Sequence, residues 1–176
     1  MTPDDTGKEA ATASFLFSRA VFGLARLCGF ASTLLIVTVL GIVTYAITQR
    51  YLFGTPLLWG DELNGYLLVA LIMFGAAEAL RRGDHIAIDL VSANVPPRLS
   101  HYLAIWGNLA VVLFSAVLAW SAWHSAAFSY DFGSYSAGYL EVAMWVPMVP
   151  VLIGAVLLAL TALAGILEIL AGGERQ

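Results

Sequence analysis

Residues 27–49 read LCGFASTLLIVTVLGIVTYAITQ, 23 residues between Arg26 and Arg50 with no acid or base among them. About 20 mostly apolar residues in helical form cross the hydrocarbon core of a bilayer. The stretch is therefore expected to be a transmembrane helix. Three more such runs follow. One extends from about Glu62 to Leu80, with carboxylates near both ends. The next has 32 residues without Asp, Glu, Lys or Arg between Arg98 and Asp131, and the last has 26 between Glu141 and Glu168. The expected spans are about 27–49, 62–80, 99–125 and 142–167, so the fold class is an all-α integral membrane protein with four transmembrane helices.

Composition agrees with this. Of 176 residues, 60% are apolar and 11% charged, with a mean hydropathy of +0.85. A soluble domain averages about 45–50% apolar and about 25% charged. The balance of 8 basic and 12 acidic residues leaves a net charge of −4 and no basic stripe for nucleic acid. Cys28 is the single cysteine, which excludes an intramolecular disulfide, a four-cysteine zinc site and an iron–sulfur cluster. It is expected to be a small apolar residue within a helix.

Four spans leave little else: a polar tail at 1–13, the membrane domain at 14–172 and a short tail at 173–176. Asp4, Asp5 and Glu9 stand where a secretory signal would be positive, and the apolar run after Arg26 is too long for a signal core. Ser14 to Arg26 is half apolar, with Arg19 and Arg26 on one helical face. That pattern fits a short interfacial helix before the first span, or a continuation of the span itself.

Lys and Arg set orientation. Lys8, Arg19, Arg26, Arg81, Arg82, Arg98 and Arg175 fall on one side, and Arg50 alone on the other. Both termini are expected to face the cytoplasm. The opposite loops carry Tyr51, Phe53 and Trp59 in one, and Phe128, Tyr130, Phe132, Tyr135 and Tyr139 in the other. Such rings suit an outer interfacial belt, or a surface for a protein partner. Pro147 and Pro150 would start or kink the fourth helix.

Ionisable groups inside a span are costly and mark function. Glu62 and Glu78 are 16 residues apart, about 24 Å at helical rise, which places them near opposite surfaces. A transporter that binds its own cargo has broken helices and polar groups at the midplane, and neither is present in the pattern. No catalytic, substrate-binding or metal-ligating residue is expected in this chain. His101 and His124 share the third span, roughly 35 Å apart, and cannot grip one haem. Asp84, His85 and Asp89 are too few and too loosely spaced for a metal. Asp61 and Glu62 suit the positive end of the second helix, where Arg50 is the expected partner that locks the first hairpin. Arg81 and Arg82 are expected at the helix end against anionic headgroups, with Gly83 ending the helix. Gly75, Ala76, Ala79, Ala155, Ala159 and Ala162 would let helices approach closely, within the bundle or against another subunit.

The stretch from Arg50 to Pro97 resembles the small membrane subunit of tripartite ATP-independent periplasmic (TRAP) transporters, the DctQ-type family. The resemblance lies in RYLFGTPLLWGDEL (50–63), FGAAEALRRGDHIAIDLV (74–91) and the loop ending in Pro96 and Pro97. The family-like positions are Arg50, Phe53, Trp59, Glu62, Gly75, Arg82, His85 and Asp89. It implies an accessory scaffold in the bacterial inner membrane. A large membrane subunit would carry the substrate and sodium sites, and a periplasmic substrate-binding protein would deliver an organic acid. The chain itself would hold no cofactor, though phospholipid contacts are expected. Arg50, Trp59, Glu62, Arg81, Arg82, His85 and Asp89 are then the candidates for subunit-interface or structural roles. Two other readings remain at this point: a membrane anchor for a respiratory or other enzyme complex, and a small homo-oligomeric exporter.

Overall fold

A computed structural model of the chain describes residues 3–82 and 97–170, with side chains from 18 to 82 and from 102 to 169. Four helices carry it: α1 (Pro3–Leu52), α2 (Gly60–Arg82), α3 (Pro97–Asp131) and α4 (Met148–Leu170). Each contains a run long and apolar enough to cross a membrane.

α1 runs unbroken for 50 residues, roughly 75 Å, well over twice the thickness of the hydrocarbon core. Of the two readings open for residues 14–26, it takes the continuous one, and helix also runs through most of the expected tail. No proline interrupts the run after Pro3, so no backbone donor is lost and nothing forces a break. Its threonines from Thr33 to Thr48 fit lipid because each of those hydroxyls donates back to the carbonyl one turn earlier. Thr33 reaches Gly29 at 3.0 Å, Thr38 reaches Leu34 at 3.0 Å, Thr44 reaches Leu40 at 2.8 Å and Thr48 reaches Thr44 at 2.8 Å. The helix stops where Gly54 takes a positive φ of 68° and the Thr55 amide bonds back to the Gln49 carbonyl at 3.2 Å. That is a glycine-based C-cap, with Gly54 in the left-handed region that suits a residue without Cβ.

α2 begins with Asp61 and Glu62 and ends with Arg81 and Arg82, each pair complementing the helix dipole. Beyond α3, residues 132–147 form a folded loop. Met144 donates to Ser134 at 2.9 Å, Ser136 donates to Val142 at 2.8 Å, and Tyr135 bridges Ala143. Residues 142–147, read from hydropathy as the start of the fourth span, belong to this loop. Val142 and Ala143 commit backbone groups to the hairpin, Glu141 sits at φ 45°, and Val146 precedes a proline, which disfavours helix. Pro147 then stands immediately before α4 and Pro150 in its first turn, where a missing N–H costs nothing.

α4 is the hub. It packs against α1, α2 and α3, while among the described residues α3 packs on no helix but α4. Burial follows: 39% of the apolar window of α4 is covered, against 6% for α1. The interior is built from small side chains, with Ala25, Ala77, Ala155, Ala162, Ala164 and Ser115 fully covered. Lipid tails are as apolar as leucine, so helices gain little by hiding large residues and associate through close backbone approach. At Gly154 an added Cβ would lie 2.6 Å from Met73 Cβ and 2.9 Å from the Met73 carbonyl oxygen. Cys28 packs on the small cluster of Ala25, Ala77 and Leu157, the structural role expected of it. Leu27, Phe30, Leu34, Val37 and Leu40 of α1 and Trp106, Leu113, Phe114 and Val117 of α3 face outward, as a lipid-facing surface requires.

Candidate functional site

The informative polar groups of the described structure gather at the two ends of α2. At the first turn, the Glu62 carboxylate accepts three hydrogen bonds. Tyr66 donates its hydroxyl at 2.8 Å from one turn along the same helix. The Ser136 hydroxyl and the Leu140 amide, the latter at 3.2 Å, arrive from the α3–α4 loop. Gly138 lies between them, and a side chain there would run into the Glu62 carboxylate. Glu62 is thereby a clasp that ties the start of α2 to the loop joining the other two helices. The expected Arg50 pairing is not made. Arg50 is exposed and takes no part in the cluster, because the serine hydroxyl and backbone amide of the distant loop already fill the carboxylate. Trp59 lies beside the site at the foot of the helix, 38% exposed.

At the other end, Glu78 is 7% exposed and holds both arginines of the last turn. Arg81 donates through Nε at 2.7 Å and Nη2 at 2.8 Å, one bond to each carboxylate oxygen, and Arg82 donates through Nε at 2.8 Å. These are i,i+3 and i,i+4 pairs on one helical face. A carboxylate covered by protein at the edge of a bilayer needs such charge-assisted partners. Helix α1 closes over the group at Gly29, where an added Cβ would lie 2.6 Å from Glu78 Cγ. Arg82 keeps a 63% exposed side chain and stays available to headgroups, whereas Arg81 is largely committed to Glu78. Between Glu62 and Glu78, α2 carries no charge, nor does α1 between Arg26 and Arg50 or α3 between Arg98 and Asp131.

A family model described as "Tripartite ATP-independent periplasmic transporters, DctQ component" matches residues 39–172. The chain belongs to this family. Relatives of the DctQ component include the C4-dicarboxylate TRAP transporter small permease protein DctQ of Vibrio cholerae, 29% identical over 87 residues, which are 47% of this chain and 38% of the relative. The sialic acid TRAP transporter small permease protein SiaQ of the same organism is 29% identical over 79 residues, 45% of this chain and 46% of the relative. The sialic acid TRAP transporter permease protein SiaT of Haemophilus influenzae is 30% identical over 77 residues, 44% of this chain and 12% of the relative. The chain spans less than half the length of the curated relatives it matches. Membership makes it a TRAP small permease subunit, a multi-pass protein of the bacterial inner membrane and part of a transporter, not an enzyme.

With this DctQ component in view, the singled-out positions sort by place. Glu62 and Trp59 stand at one end of α2, and Arg81 and Arg82 at the other. Gly75 faces α1, where Ser32 donates its hydroxyl across the interface to the Leu71 carbonyl at 2.9 Å. His85 and Asp89 lie outside the described residues, as does the side chain of His101. His124 is exposed and packs tilted against Trp120, with 4.7 Å between ring centroids and 59° between the ring planes. Among the described residues no three of His, Cys, Asp and Glu come together as a metal site. Sequence reasoning missed Ser136, the Leu140 amide and Gly29. Tyr66, four residues after Glu62, was within reach of helical spacing. Nothing local marks Ser136, 74 positions away.

Proposed function

We propose that this chain is the fixed scaffold subunit in binding-protein-dependent uptake of an organic acid driven by an ion gradient. The observation that carries the reading is the family match over residues 39–172, joined to the uncharged middle of α1, α2 and α3. The polar groups at the two ends of α2 are engaged in holding helices and loop together. A site for cargo at the midplane would need polar or unwound backbone there. In this reading substrate and sodium are carried by a larger membrane subunit, and a periplasmic substrate-binding protein docks on the assembled complex. The broad outward apolar faces of α1 and α3 supply surface for lipid and for that subunit. Seven of the eight basic residues fall on one side, which supports a topology with both termini in the cytoplasm.

Affinity purification of the full chain from native membranes, with identification of what comes with it, tests this directly. The expected result is a much larger multi-span membrane protein in stable association. Its absence, together with organic-acid transport by this chain alone in liposomes, would overturn the proposal. Reporter fusions at residue 176 and in the 53–59 loop should report opposite sides of the membrane.

A further inference from the structure

At the end of the bundle that carries Arg81 and Arg82, a cleft of about 450 Å³ opens between α1, α2 and α4. Arg19, Phe22, Gly23 and Arg26 of α1 form one wall, with Arg81 of α2 and Glu168 of α4 opposite. Arg81 is held by Glu78, and Glu168 has a partner of its own. Arg19 and Arg26 are exposed and form no ion pair among the described residues. The cleft therefore presents two guanidiniums whose charge no described residue matches.

We propose that this cleft binds an anionic phospholipid, with Arg19 and Arg26 on its phosphate and an acyl chain lying along α1. Seven residues separate the two arginines on a continuous helix, so they share a face about 10 Å apart along the axis, within reach of one phosphate for side chains of this length. Gly23 sits between them with nothing within 4 Å of the place a Cβ would occupy, so the headgroup can approach the backbone. Below the arginines the same flank of α1 continues into Phe30 and Leu27, both more than half exposed, which is a path for a hydrocarbon tail and of no use to a soluble anion. Basic pockets between membrane helices recognise headgroups in this way. Both described carboxylates near the cleft, Glu78 and Glu168, already have partners, so neither is left to receive a choline ammonium. That selects phosphatidylglycerol over phosphatidylcholine.

The inference does not depend on the transport reading. Native mass spectrometry of the full chain, delipidated in detergent and then given phosphatidylglycerol, phosphatidylcholine or inorganic phosphate, tests it. The wild-type chain is expected to retain phosphatidylglycerol in preference to phosphatidylcholine and to be unaffected by inorganic phosphate. The double variant Arg19→Gln, Arg26→Gln should hold phosphatidylglycerol roughly thirtyfold more weakly. Arg19→Lys with Arg26→Lys should keep most of the binding, which separates charge from folding damage; circular dichroism of each variant checks the helices. Equal retention of the two lipids, an undiminished double glutamine variant, or displacement by inorganic phosphate would each overturn the proposal. So would lipid retained by the isolated chain but lost from the chain purified with its membrane partner, since a segment of that partner would then fill the cleft.

Discussion

At Glu62 three donors converge on one carboxylate, and two of them come from a loop more than 70 residues away in sequence. Replacing it with alanine should release residues 132–147 while leaving α2 helical. Hydrogen–deuterium exchange of the Leu140 amide should rise in Glu62→Ala, and Arg50→Ala, which removes no contact in the cluster, should leave it unchanged. Glu78 does a different task with the same chemistry, covering two guanidiniums at the far end of the helix. Glu78→Ala removes three charge-assisted bonds and leaves Arg81, whose side chain is only 21% exposed, without its counter-charge. A loss of about 1–3 kcal/mol is expected in a thermal or denaturant unfolding assay. Asn108 behaves in the opposite sense. Its amide donates to the Ala104 carbonyl at 2.8 Å, but its Oδ1 is buried with no partner. Asn108→Val, an apolar side chain closer in size than leucine, should be neutral or raise the melting temperature, since an orphaned polar atom disappears with the change.

At the level of elements, two glycines set how closely helices meet, and they differ in what they face. Gly29 brings α1 against the side chain of Glu78, whereas Gly154 brings α4 against the main chain of Met73. A side chain can rotate aside, although Glu78 is pinned by its arginines; a helix backbone can move only as a whole. Both Gly29→Ala and Gly154→Ala should therefore destabilise, by about 1–3 kcal/mol as overpacking does, with Gly154→Ala the worse of the two. Comparison of their unfolding midpoints in one detergent checks the order. The helices themselves were legible in the sequence. The uncharged runs bounded by Arg26 and Arg50, and by Arg98 and Asp131, fall within α1 and α3, because hydropathy and charge act locally and without regard to neighbours. The start of α4 was not, since the pull of hydropathy at 142–147 was overridden by a hairpin that Tyr135 and Ser136 make with Ala143 and Val142.

For the molecule as a whole, α4 holds the other three helices and, among the described residues, α3 hangs on α4 alone. Insults to α4 should therefore spread. Ala162, fully covered, lies in its interior face, while Ala79 lines an open apolar groove between α2 and α3. Ala162→Leu should cost about 1–3 kcal/mol, and Ala79→Leu should stay within about 0.5 kcal/mol. Melting curves of the two variants in the same micelles decide it. By the same contacts α3 should be the first helix to separate, with amide exchange in its outward half faster than in α2.

Four spans and the charge marking of their ends were determined by the sequence alone. In a bilayer the solvent is apolar, so a helix is specified by its own 20 or so residues and its ends by where charge first appears. The family resemblance was readable for the same reason, since RYLFGTPLLWGDEL and FGAAEALRRGDHIAIDLV are contiguous strings. Only the tertiary structure decided that Glu62 is met by Ser136 and Leu140 instead of Arg50, that Gly29 caps Glu78, and that α4 is the centre. Lipid provides no hydrophobic drive to sort helices, so their arrangement depends on the matching of small side chains. In a chain where alanine is everywhere, no single one announces its partner.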